Sequence, residues 1–186
     1  GDNGTHRTIP SRWQGADDSG GKGSTTHRGT RVPLIVRWPR VVPPGRVNQD
    51  LISSVDILPT LCAAAGVETP RNCDGVSFLP QLRGEPGEPR EWLYTWYSPR
   101  QQVDLTVREY AFDHRYKLYR SGQFFDLQVD PEERSPQMVD RLQGEAASSA
   151  SRLQRVLDQF VEARPAELDR AFVESAQPQP AVRPSR

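Results

Sequence analysis

Near the start of the chain, three side chains are of types that handle ions. Asp2 and Asn3 are adjacent in Gly1-Asp2-Asn3-Gly4. They therefore offer a carboxylate and an amide carbonyl from one turn, two of the hard oxygen ligands that Ca²⁺ prefers. Lys22 lies between Gly21 and Gly23, so a tetrahedral anion can approach both its ammonium and the adjacent backbone. A divalent cation and a lysine together stabilise the charge that builds on an ester's oxygens as it is cleaved. His6, just beyond the turn, can line such a pocket or assist a proton transfer, against the plainer reading of a loop histidine. His27, beyond the lysine, is a second pocket-lining candidate. Each feature alone has a plainer reading. Asn-Gly favours a hairpin turn, Asn3-Gly4-Thr5 fits a glycosylation sequon, and Gly-Lys-Gly lacks the spacing of a nucleotide loop.

The elements that must position these residues form an α/β pattern. Residues 1–31 are rich in Gly, Ser, Thr and Asp and read as a long functional loop. Residues 31–38 (Arg-Val-Pro-Leu-Ile-Val-Arg-Trp) read as a short buried strand, with a turn from Pro39 to Gly45. Residues 56–65 read as a helix with Asp56 as N-cap, Pro59 in the first turn and Gly66 as its stop. Ile57, Leu58, Leu61, Cys62 and Ala65 then share a face suited to a sheet. After a polar stretch over 83–90, short apolar runs at 91–97, 105–112, 116–120 and 124–127 are separated by Ser98-Pro99, Asp113-His114 and Ser121-Gly122. That spacing predicts an antiparallel sheet, with Trp92, Trp96 and Tyr97 in its core and Tyr97-Ser98-Pro99-Arg100 near the pocket mouth. Ala146, Ala150, Leu153, Val156, Leu157 and Phe160 recur at helical spacing, which predicts an amphipathic helix covering the sheet. The expected units are residues 1–82, 83–163 and a flexible tail, 164–186.

The chain has 186 residues, 35% hydrophobic and 26% charged, with a formal net charge of zero. That balance speaks against nucleic-acid binding, which needs a basic face, and no apolar run is long enough to span a membrane. Of 24 basic residues, Lys22 and Lys117 are the only lysines. Cys62 and Cys73 do not make a disulfide framework, although a bond between them is possible. A start on a polar turn, with neither Met nor a signal-peptide pattern, is expected of a cut inside a larger protein.

Three ordered segments resemble the type I sulfatases of the alkaline-phosphatase-like superfamily. They are Asp2-Asn3-Gly4, then Gly21-Lys22-Gly23 leading to Thr30-Arg31-Val32-Pro33, then Asp56-Ile57-Leu58-Pro59-Thr60. Asp74-Gly75-Val76 and Phe125-Asp126-Leu127 with Asp130-Pro131-Glu132 match as well. The resemblance implies the end of the main mixed sheet plus a small antiparallel sheet packed by a C-terminal helix. It implies Asp2 and Asn3 as ligands of one Ca²⁺ and Lys22 as a sulfate-binding residue. It also implies a formylglycine made from a Cys or Ser in Cys/Ser-x-Pro-x-Arg. Neither cysteine here has that setting: Ala63 follows Cys62 and Asp74 follows Cys73. The nucleophile is thus expected upstream, in a missing N-terminal half, and the fragment alone is expected to be inactive. The implied substrate is a sulfate-ester small molecule or a sulfated glycan, in a periplasmic or secreted setting. A phosphate- or phosphonate-ester hydrolase of the same superfamily, or a non-catalytic relic, are the alternatives. His27 and Arg28 depart from the family pattern, which usually has an acidic residue at the first position and often a small one at the second.

Overall fold

A computed structural model describes residues 1–13, 15–97 and 108–163. It has two parts, one loop-rich and one built on a sheet. The loop-rich part opens with a hairpin, β1 (Pro10–Trp13) and β2 (Ala16–Ser19), paired Pro10 to Ser19 and Trp13 to Ala16. One helical turn, α1 (His27–Thr30), follows, then α2 (Ile57–Ala65) and α3 (Leu79–Arg83). The second part is a five-stranded antiparallel meander: β3 (Leu93–Tyr97), β4 (Arg108–Phe112), β5 (Tyr116–Tyr119), β6 (Gln123–Asp126) and β7 (Gln137–Met138). The helix α4 (Gly144–Gln159) closes it. Among the described residues, no helix is long and apolar enough to cross a membrane.

Strand periodicity gives the meander two distinct faces. Ala111, Tyr116, Leu118 and Phe124 point to α4 and are buried with Ala150, Leu153, Val156 and Leu157. The expected helical stripe is therefore the observed core, and Phe160 extends it by stacking on Tyr94 with ring centroids 3.9 Å apart. The opposite face carries Tyr110, Lys117, Tyr119 and Phe125, and it too is buried. At one end of the sheet, Asp113 ties strand to helix. Its carboxylate accepts from the Arg115 and Tyr116 N–H groups, from Ser149 Oγ (2.6 Å) and from Arg152 Nη2 (2.6 Å). Of the aromatic residues assigned to the core, Trp96 is 38% exposed at the edge strand. The expected turn at Ser98-Pro99, the start of the 105–112 run, Arg100 and the tail from 164 lie outside the described residues.

The loop-rich part departs from expectation in four places. The 1–31 loop contains the β1–β2 hairpin, aided by Gly15 at φ 84. The 31–38 segment forms no strand, and Leu34, Ile35 and Val36 are 50%, 88% and 37% exposed. An apolar run favours burial, but a strand also needs a partner to pair with, and none lies beside it among the described residues. Asp56 is helical itself (φ −78, ψ −13), within a 3₁₀ turn at Ser54–Asp56, and makes no side-chain N-cap bond. Its carboxylate instead accepts from Ser53 N and Val76 N at 2.8 Å each and pairs with Arg90. Burial opposes its ionisation, but the bonds from Arg90, Val76 and Ser53 hold its pKa below the usual value. Gly66 ends α2 in left-handed backbone, as expected (φ 68). The anticipated sheet-facing side of α2 is largely open, with Ile57, Leu58 and Leu61 at 43%, 50% and 62% exposure. What packs on α2 is the segment after Asp74, on the other side. There Thr60 Oγ1 accepts from Phe78 N at 3.0 Å, and Pro59 and Thr60 are buried.

Candidate functional site

The Asp2-Asn3 turn and the Lys22 loop run alongside each other. Gly4 N donates to Gly29 O at 2.9 Å, and Lys22 N donates to Thr5 O at 3.0 Å. Two glycines allow backbones to meet this closely. A Cβ on Gly4 would lie 2.0 Å from Arg28 O, and one on Gly20 would lie 2.1 Å from Thr5 O. Any side chain at either position would force the segments apart. Asp2 and Asn3 are exposed on this junction, with Asn3 Nδ2 donating to Asp2 Oδ2 at 2.7 Å. Lys22 is exposed as well, at the tip of a turn closed by Ser24 N donating to Gly21 O at 2.9 Å. An oxygen pair and an ammonium are thus presented from adjoining loops.

The donor set suits a hard cation in part. Asp2 and Asn3 supply two oxygen-bearing groups, whereas Ca²⁺ takes six to eight oxygens. Among the described residues, no group of three or more His, Cys, Asp or Glu side chains is placed to hold a metal. The remaining ligands would therefore have to come from elsewhere.

The two histidines, considered as pocket-lining residues, have different surroundings. His6 is exposed and folded into a local turn, with Nδ1 2.8 Å from Thr8 Oγ1 and accepting from Thr8 N at 3.3 Å. The His27 ring meets Phe112 of β4 edge-on, with centroids 6.5 Å apart. Burial, and then the charges of Lys117 and Arg31, hold its pKa below the usual histidine value. Its position makes it a contact between the lysine loop and the sheet. Arg28, the other departure from the family pattern, pairs with Glu132 (Nε to Oε1, 2.7 Å) and donates to Ser19 O at 3.0 Å. Tyr97 Oη lies 3.7 Å from where a Cβ on Gly23 would be, so the end of β3 borders the Lys22 turn. Cys62 and Cys73 are both free thiols.

Beneath the loop lies a group that sequence reasoning passed over. Lys117, 2% exposed, donates to Thr25 O and to Glu133 Oε1 (2.7 Å), and Glu133's side chain is 5% exposed. The Lys117 ammonium sits 3.9 Å from the Tyr110 ring centroid and 4.8 Å from that of Tyr119. The Tyr119 hydroxyl donates to Glu133 and lies 2.9 Å from Thr25 Oγ1. Burial lowers the Lys117 pKa to about 8 against the opposing pull of Glu133, and burial raises that of Tyr119. The available signal was compositional: one of only two lysines stands among strand aromatics.

Comparison with known proteins places this arrangement in context. The family model described as N-sulphoglucosamine sulphohydrolase, C-terminal, matches residues 23–161. An ulvan-active sulfatase from Formosa agariphila is 40% identical over 103 residues, covering 54% of this chain and 21% of that protein. Bovine (Bos taurus) arylsulfatase A is 34% identical over 113 residues, covering 60% of this chain and 22% of that protein. The matches thus span about a fifth of the length of these relatives. A solved structure of a protein in complex with its substrate, D-glucosamine-2-N,6-O-disulfate, superposes with a TM-score of 0.55 at 21% identity. It covers 81% of this chain and 31% of that chain, a likeness of fold.

Proposed function

Because the chain belongs to the sulfatase family whose C-terminal model spans residues 23–161, we propose that it forms the cation- and anion-handling side of a sulfate-ester hydrolase centre. The observation that supports this is the docking of the Asp2-Asn3 turn on the Lys22 loop through Gly4 N–Gly29 O and Lys22 N–Thr5 O. In this reading Asp2 and Asn3 hold part of the shell of one Ca²⁺. The Lys22 ammonium binds the sulfuryl oxygens and opposes the negative charge that grows on them toward the transition state. The cation adds Lewis-acid stabilisation of the same charge. Bond breaking is assigned to a formylglycine carried by the N-terminal part of the protein, as the family resemblance implies, and the 186 residues alone are inactive. The substrate is an aryl or glycan sulfate ester, the classes suggested by the names of the arylsulfatase and ulvan-active relatives.

Steady-state turnover of paired chromogenic esters tests the reading. The complete protein should hydrolyse 4-nitrophenyl sulfate with a higher kcat/KM than a 4-nitrophenyl phosphonate ester, and the 186-residue chain alone should hydrolyse neither. Preference for the phosphonate would move the chain to the alternative reading within the superfamily. No turnover of either ester by the complete, matured protein would favour a non-catalytic relic, and turnover by the chain alone would place the nucleophile within it.

A further inference from the structure

We propose that the buried Lys117–Glu133 pair, with Tyr119, is a positioning device that sets Lys22 against its anion; this rests on the role given to Lys22 above. Both carboxylate oxygens of Glu133 are engaged, one by the Lys117 ammonium and one by the Tyr119 hydroxyl. Lys117 and Tyr119 then converge on a single residue of the lysine loop. The ammonium donates to Thr25 O, and the phenol oxygen lies 2.9 Å from Thr25 Oγ1. Thr25 itself is 2% exposed and is three positions from Lys22. Upstream, the same loop is held by Lys22 N on Thr5 O, and between the two anchors it closes through Ser24 N on Gly21 O. The backbone that carries Lys22 is thus fixed on both sides, by the Asp2-Asn3 segment and by the sheet.

Stability alone gives little reason for this construction. Burying two charges costs solvation that their attraction does not reliably recover, and apolar residues of similar size commonly serve a core as well or better. What an ion pair adds is direction. Its hydrogen bonds allow one placement of the loop, whereas apolar packing would tolerate several. The turn that supplies Glu133 is shaped for the purpose. Glu133 takes left-handed backbone (φ 55), unusual for a non-glycine residue, and its neighbour Glu132 pairs with Arg28 farther along the same loop. Adjacent glutamates therefore reach the lysine loop, Glu132 directly at Arg28 and Glu133 at Thr25 through Lys117 and Tyr119. The sheet subdomain acts on the site through this turn.

A double-mutant cycle on kcat in the complete protein, with Glu133→Gln and Lys22→Ala, tests the inference. Glu133→Gln keeps the shape and an acceptor for Tyr119 but leaves Lys117 without its counter-charge. With Lys22 present it should lower kcat by about 10- to 100-fold, the scale of a small misplacement of a reacting geometry. In the Lys22→Ala background the same change should cost less than about twofold, because nothing remains to be misplaced. An equal fold-loss in both backgrounds, or no loss in either, overturns the inference. If Lys22→Ala itself leaves kcat unchanged, it is the role of Lys22 that fails, a separate result. Should Glu133→Gln not yield folded protein, Tyr119→Phe enters the same cycle. It removes one hydroxyl that meets both Glu133 and Thr25, and the same outcomes decide.

Discussion

Lys22→Ala in the complete protein is expected to lower kcat by about 10²–10³-fold, the usual loss on removing one transition-state charge donor. The thermal midpoint should stay close to wild type. The side chain is exposed at the tip of a turn, and the bonds that hold the turn are made by the backbone: Lys22 N to Thr5 O and Ser24 N to Gly21 O. Truncation therefore removes the ammonium and leaves the loop. Because the contact is assigned to charge that develops during the reaction, kcat should fall more than KM rises. A rise in KM at constant kcat would mean that Lys22 serves uniform binding of the sulfate, and no change in either would remove it from the site.

Gly4→Ala should also impair the site, by a different route. The new methyl would lie 2.0 Å from Arg28 O, a backbone atom that cannot swing aside as a flexible side chain can. The Asp2-Asn3 turn must then move off the lysine loop, breaking Gly4 N–Gly29 O. Both cation affinity and kcat should fall by about 10-fold or more, since an ångström of misplacement is costly at a reacting centre. Among the described residues, the hydrophobic core of the meander and α4 includes none from this junction, so amide-exchange protection across Tyr116–Asp126 and Leu153–Leu157 should be retained. Wild-type affinity and kcat in this variant would mean that the close approach of the two loops has no functional consequence.

The sequence made the sheet subdomain readable because its signals are local. Ser121-Gly122 and Asp113-His114 fall between apolar runs, and the Ala146-to-Phe160 stripe repeats at helical spacing. Each reports its structure within a few residues. The family was readable for another reason: three ordered segments resemble those of known sulfatases, and their order adds specificity that none has alone. What stayed hidden depends on distant partners. Residues 31–38 have a strand's composition, yet pairing is not encoded in one segment, and here they form no strand and are mostly exposed. β1 and β2 were missed because Ala16-Asp17-Asp18-Ser19 has no apolar alternation to mark it. Lys117 was the largest omission. A strand lysine ordinarily reads as solvated, and its carbonyl partner at Thr25 is 92 positions away. The same distance explains His27 and Arg28, which look anomalous in the loop and find their contacts, Phe112 and Glu132, on the sheet side.

If the Asp2-Asn3 turn and the Lys22 loop form one side of a sulfatase centre, a crystal structure of the complete protein, with Ca²⁺ and a sulfate-ester substrate bound to a nucleophile-blocked variant, will show it. One cation should contact side-chain oxygens of both Asp2 and Asn3, and the Lys22 ammonium should be hydrogen-bonded to the sulfuryl oxygens of the bound ester. A cation held without Asp2 and Asn3, or a sulfate ester bound out of reach of Lys22, would contradict it.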